Sequence, residues 1–336
     1  MSKVQEQIQK LKAQTETVQT LITLGDLYLQ QKDKVEARHY YLEAIEKFPQ
    51  SVDGFLRMGQ FTLNNGDFDE ANTYLGDATA IDPKNVDAWI AYAKTHFKLG
   101  GIQRADEYAD RAVNLAPENT EALMVSGMIK LYANNMFYAI KHLEKAESDK
   151  NSPFMPYIKF LLGTLFAHQT IFIKAEEKFK NIENAAEFKD LNTPNGIALQ
   201  NNLALVKFGI GKADEAEKIL VNLTTKSNKI DASVWINLAM AYWMQDKTAE
   251  AVKSFEKANE LNPTAWPWVE ETKEYLSTGS KGLAEKIQKL KKEVKDSKNI
   301  GLYLGCVIPN RYPYVEAATR HLLDYLNVGE IGRAHV

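Results

Sequence analysis

A pattern of small, aromatic and proline residues returns about every 34 residues along this chain, and a period of that size turns each segment into one unit that must stack on the next. The stretch from Leu21 to Pro49 places Leu24, Gly25, Tyr28, Ala37, Tyr41, Ala44 and Pro49 in this pattern. Near the other end it returns as Trp235, Leu238, Ala239, Tyr242, Ala251, Phe255, Ala258 and Pro263. Between them stand Phe55, Gly59, Ala71, Ala78 and Pro83, then Trp89, Ala93, Ala105, Ala112 and Pro117. A further copy has Gly127, Ala139 and Ala146, and two looser ones have Gly163, Ala175 and Phe179, then Ala204, Gly211 and Ala216. Helical phase held over this length leaves a strand reading little support.

In its spacing this sequence resembles the tetratricopeptide repeat (TPR) proteins over about Val18 to Pro263, in seven copies. The resemblance implies an all-α, right-handed α-solenoid of about seven helix pairs. The small residues mark where the two helices of a pair cross closely. Pro49, Pro83, Pro117 and Pro263 end second helices, because proline has no amide for a continuing helix. The fifth and sixth copies lack that proline, so a longer connection is expected at about Asn181 to Gly196.

The expected organisation is a capping helix over 1–16, with Val4, Ile8 and Leu11 on one face, and a solenoid over 17–263. A closing helix over 264–278 carries Trp266, Trp268, Val269 and Tyr275. A Lys-rich linker helix over 279–298 has seven lysines against three acids. Its bland reading is a solvated helix, and attraction to an acidic partner is the other.

Stacked helix pairs bind through a concave wall lined by first helices. The fifth position of successive copies reads Ile22, Leu56, Ile90, Met124, Phe160, Asn201 and Ile236, and the ninth reads Asp26, Gln60, Lys94, Met128, Thr164, Leu205 and Met240. The twelfth includes Leu29, Phe97, Leu131, Phe208 and Trp243. This wall is largely apolar and suits a partner helix or hydrophobic peptide, since Met adapts its shape and aromatics bury much area. Packing between helices is the alternative use of the same side chains. Asn202 and Asn237 share one position of the last two copies and offer amide contacts to a peptide backbone. The Lys, Arg and Asn pattern of modules that clamp chaperone tails is not followed. His39, His96, His142 and His168 are scattered without metal spacing, and no HExxH, GxSxG, P-loop or dinucleotide glycine pattern occurs.

From Asn299 the period is lost. Residues 300–306 read as a short strand ending in Cys306, Pro309–Pro313 as a rigid turn, and Val315–Leu326 as an amphipathic helix, the start of an α/β unit. The run LGCVIPNRYPYVEAATRHLLDYL resembles the opening of the cysteine-rich (CCG) component of heterodisulfide reductase and its relatives. The resemblance implies that Cys306 is the first ligand of an iron–sulfur site and that 299–329 is a truncated cysteine-rich fragment. Cys306 is the single cysteine of 336 residues, so the site is incomplete in this chain and no cofactor is expected here, with an iron–sulfur cluster belonging to a full-length protein. The bland alternative makes Cys306 a small buried hydrophobe. The last seven residues, EIGRAHV, are what GAG ATC GGA AGA GCA CAC GTC encodes, which resembles a sequencing adapter, so 330–336 are read as translated synthetic DNA.

With 41 Lys and Arg against 44 Asp and Glu, the net charge of −3 gives no field that would recommend nucleic acid. No apolar run is long enough for a membrane span, and the opening residues lack a signal-peptide core, so the expected location is the cytoplasm. The expected function is a protein-interaction scaffold that binds a peptide or helix and tethers a redox module or sister redox subunits. The alternative is the N-terminal part of an iron–sulfur thiol/disulfide oxidoreductase, inactive as it stands. A third reading has the repeats and the tail come from separate genes.

Overall fold

The computed structural model describes residues 3–263, and these form fifteen α-helices and no strand. The expected segments 264–278, 279–298, 299–329 and 330–336, Cys306 among them, lie outside the described residues. After α1 (Lys3–Lys12) the helices come in seven consecutive pairs: α2 with α3 (Val18–Gln30, Lys34–Lys47), α4 with α5 (Val52–Asn65, Phe68–Ile81), α6 with α7 (Val86–Lys98, Ile102–Leu115) and α8 with α9 (Thr120–Tyr132, Met136–Glu147). Then follow α10 with α11 (Met155–His168, Phe172–Lys180), α12 with α13 (Pro194–Gly209, Ala213–Lys226) and α14 with α15 (Ala232–Trp243, Thr248–Leu261). The chain divides into two compact units, one over Met1–Leu162 and one starting at Gly163.

Local chemistry sets the ends of these helices. Thr17, Asn85, Asn119, Thr193 and Asp231 each accept a backbone N–H at the start of the following first helix, supplying an acceptor that the first turn lacks. Each first helix then stops on a left-handed residue: Lys32, Gly66, Gly100, Asn134, Thr170, Gly211 and Asp246 all have φ between 58° and 90°. The next residue donates its N–H back to the carbonyl five places earlier at 2.8–3.0 Å in all seven pairs, as in Asn135 to Lys130 and Ile171 to Phe166. This Schellman closure reverses the chain within a few residues. The second helices α3, α5, α7 and α15 each end two residues before a proline, at Pro49, Pro83, Pro117 and Pro263.

Within each pair, small residues let the helices touch. The alanines at the two small positions of the second helices, from Ala37 and Ala44 to Ala251 and Ala258, are buried without remainder in most copies. On the first helix, a Cβ added to Gly127 would lie 2.5 Å from Leu143 Cγ, and one added to Gly163 would lie 2.5 Å from the Phe179 ring. At these two crossings a side chain on the glycine would have to displace its partner.

The longer connection runs over 181–193, and Gly196 already lies inside α12. Ile182 and Phe188 from this connection are buried, and a side chain on Gly196 would run into the backbone of Asp190. At the N-terminal end Ile8 of α1 is buried, and Lys12 Nζ stands 5.4 and 5.5 Å from the rings of Tyr28 and Tyr40, which are stacked on each other. The same tyrosines hold the Lys12 ammonium well above its ordinary pKa.

One register position of the first helices is occupied in turn by Tyr28, Thr62, His96, Lys130, Phe166, Lys207 and Tyr242. In the first unit Lys130, 4% exposed, donates to Asp106 at 2.8 Å and Asp110 at 3.0 Å on α7. In the second, Lys207 donates to Glu176 on α11 at 2.7 Å and also to Glu215. Burial lowers the pKa of each lysine, but the bonds to the carboxylates outweigh it and both are raised. These ion clusters join successive pairs where other copies carry an aromatic.

Two stability outcomes follow from this geometry. A β-branched residue in the left-handed region is strained, so Thr170→Gly should raise stability by about 1 kcal/mol and Gly66→Ala should lower it by about as much, read as shifts of the urea midpoint. Asp106→Ile alone strands part of the Lys130 charge and should cost about 3 kcal/mol. Adding Lys130→Phe, the apolar residue that Phe166 supplies at the same register position, should recover most of that loss.

Candidate partner-binding face

The first helices place the residues of the expected wall in two groups. In the first unit Ile22, Leu56, Ile90 and Leu131 are buried between helices, at 9% exposure or less, and take part in the core. Met124, Met128 and Phe97 are half-buried, packed against the cluster around Ile90, Val125 and Ile129 with one side left accessible. Lys94 is half-buried beside them and donates to Glu121 at 2.5 Å. Phe97 meets the ring of Tyr132 edge-on at 5.0 Å, and Leu29 stands exposed. The accessible part of this face is thus two methionines and an aromatic next to a neutralised cation.

In the second unit Ile236 and Phe208 are buried, while Leu205, Met240, Trp243, Asn201 and Asn202 are half-buried. Asn237 is buried and donates its amide to Asn201 Oδ1 at 2.8 Å. Asn202 donates to Thr164 Oγ1 at 3.3 Å. Asn202 and Asn237 share a register position but serve different partners on neighbouring first helices, and each amide nitrogen is bonded within the protein. An amide oxygen has two lone pairs, so the Asn201 and Asn202 carbonyls keep accepting capacity on this face.

Side chains outside the expected wall also reach solvent. Val35, Phe137 and Ile173 occupy the same first-turn position of their second helices and are 78%, 72% and 69% exposed. In the first unit Tyr138 adds exposed aromatic surface next to Phe137, and Tyr132 adds more beside Phe97. A shallow hollow of about 480 Å³ is lined by Lys34, Val35, Arg38, His39, Leu42, Phe61 and Asn65, with Arg38 held by both oxygens of Glu70. Counting apolar residues on second helices in the same register would have found Val35, Phe137 and Ile173.

The histidines do not assemble. His39 and His168 are exposed, His96 is buried, and His142 Nδ1 lies 2.9 Å from the buried Ser126 hydroxyl. Burial, with the nearby Lys130 charge, keeps His142 below its ordinary pKa. Among the described residues no group of three His, Cys, Asp or Glu is placed to hold a metal ion, and no helix is long and apolar enough to cross a membrane.

Family models for the tetratricopeptide repeat match residues 18–51, 63–129 and 232–265, so these segments are tetratricopeptide repeats. Solved structures agree on the fold. The APC/C hetero-tetramer Cut9–Hcn1 is similar with a TM-score of 0.66 at 16% identity, over 79% of this chain and 50% of that one. A tetratricopeptide repeat protein from Parabacteroides merdae gives 0.55 at 18% identity, over 77% and 98%. PilF of Pseudomonas aeruginosa gives 0.55 at 19% identity, over 66% and 97%. At these identities the likeness is one of fold. No curated protein matches the chain.

Proposed function

We propose that this protein is an interaction scaffold whose first helices hold a hydrophobic peptide or a partner helix. The observation that carries this reading is the half-buried row of Phe97, Met124 and Met128 in the first unit, continued in kind by Leu205, Met240 and Trp243 in the second. Thioether chains accept different apolar shapes at low cost, and an aromatic beside them supplies area. The neighbouring Asn201 and Asn202 carbonyls supply acceptors for a peptide backbone. Tetratricopeptide repeats are recruitment modules, and the tail motif suggests what is recruited: a redox module or its sister subunits, delivered to a thiol/disulfide centre.

The second reading rests on Gly305–Cys306 and the Pro309–Pro313 run, which resemble the first ligand loop of an iron–sulfur disulfide reductase. On that reading the repeats fix assembly and the chemistry belongs to cysteines that this chain does not contain. A single thiolate cannot hold a cluster, so Cys306 would need ligands from elsewhere.

Site-specific photocrosslinking separates the face from the rest of the surface. A photoreactive residue at Met128 or Met240 should capture a partner from its native extract, and one at His39 should not. Capture from position 39 alone would place binding elsewhere and overturn the proposal. On the redox side, anaerobic reconstitution of this chain should leave less than stoichiometric iron, unchanged by Cys306→Ser; stoichiometric iron lost in that variant would favour the second reading.

A further inference from the structure

The junction between the second and third helix pairs is built unlike the others. By register Asn72 on α5 stands to His96 on α6 as Asp106 stands to Lys130, with the same separation in sequence. Where α7 offers a second carboxylate, Asp110, α5 offers Gly76. The absent side chain leaves room for Tyr92, whose hydroxyl would be 3.5 Å from a Cβ at Gly76. Tyr92 and Tyr108 stack at 4.5 Å and both meet the His96 ring edge-on, at 4.8 and 5.0 Å. His96 is 6% exposed, and its Nε2 and the Asn72 Oδ1 are both buried with no hydrogen-bond partner.

The charges around this ring do not compensate it. Arg104 on α7 acts on His96 with the same sign as a proton would, and Asn72 on α5 is neutral. Asp77 on α5 bears on Tyr92. On the other packed helices, Lys130 and Glu121 of α8 are bound to Asp106 with Asp110 and to Lys94, and Arg57 of α4 lies 3.5 Å from Asp26.

We infer that this junction is an acid-sensitive joint: a proton on His96 puts a cation without a counter-charge between α5 and α6, and the two pairs part there. Burial, with Arg104 adding to it, holds His96 below its ordinary pKa. A base whose folded pKa is lowered contributes stability that is fully present above the unfolded value, near 6.5, and is lost as pH falls below it. The direction is therefore opening on acidification. Lys130, raised above its ordinary pKa by its bonds to Asp106 and Asp110, keeps its charge at both pH values.

Hydrogen exchange of the full chain, corrected for intrinsic rates, at pH 7.5 and 5.5 tests this. Protection across α5 and α6 should fall severalfold at pH 5.5, with about tenfold as the limit for one histidine of ordinary unfolded pKa. Asn72→Asp supplies the missing carboxylate and should abolish the fall; His96→Tyr, which installs the residue found at Tyr28 and Tyr242, should do the same. His142 provides a control, since any acid loss it causes centres on α8 and α9 and ignores Asn72→Asp. Equal protection of the unaltered chain at both pH values, or a fall that persists in Asn72→Asp, would overturn the inference. Should His96→Tyr fail to fold, the Asn72→Asp result decides alone.

Discussion

The structure depends on a close crossing between the two helices of each pair. One first-helix position and one second-helix position, sixteen residues apart, share a fixed space, and the pairs that fill it are Gly25 with Tyr41, Gly59 with Leu75, Ala93 with Ala109, Gly127 with Leu143, Gly163 with Phe179, Ala204 with Leu220 and Ala239 with Phe255. Where the first member is glycine the second is large, the third pair sets alanine against alanine, and the sixth and seventh set an alanine against Leu220 and Phe255. Interiors packed to crystal-like density make each crossing sensitive to how its own space is divided. The flanking alanines, Ala71 and Ala78 for example, bring the backbones near enough for this exchange to matter.

Once the crossing and the Schellman turn have set each pair, neighbouring pairs meet through positions the repeat leaves free. Those positions carry the individuality of the molecule. A tyrosine, a buried lysine between carboxylates or a buried histidine can all occupy one register site, with different consequences for strength and for response to pH. The accessible face is free in the same sense: Met124, Met128 and Met240 keep an apolar character without a rigid shape. The repeat thus combines closely packed pairs with variable joints and an accessible apolar face.

Much of this was legible in the sequence because the constraint is steric and local. Gly, Ala and Pro recur at fixed phase in most copies, so seven helix pairs, their ends and the long connection after α11 could be read from spacing. The accessible face was less legible. Ile22, Leu56, Ile90, Leu131, Phe208 and Ile236 look like groove residues by position, yet they are buried, because an apolar first-helix residue serves packing before it serves a partner. Asn202 and Asn237 share a position, but whether an amide faces a ligand or a neighbouring asparagine depends on side chains a helix away. The left-handed turn residues were hidden for a similar reason: Lys32 and Thr170 stand where Gly66 and Gly100 announce the turn, and tertiary packing enforces the conformation on them.

The most direct test of the account is a double-mutant cycle on the crossing of the fourth pair, followed by urea denaturation. Gly127→Ala alone should destabilise by about 2 kcal/mol, since the new methyl meets Leu143. Adding Leu143→Ala reproduces the Ala93 and Ala109 pair found in the third, and the coupling between the two substitutions should be favourable by about 1 kcal/mol or more. A silent Gly127→Ala, or two effects that simply add, would mean that the crossing is not the constraint on which the fold rests.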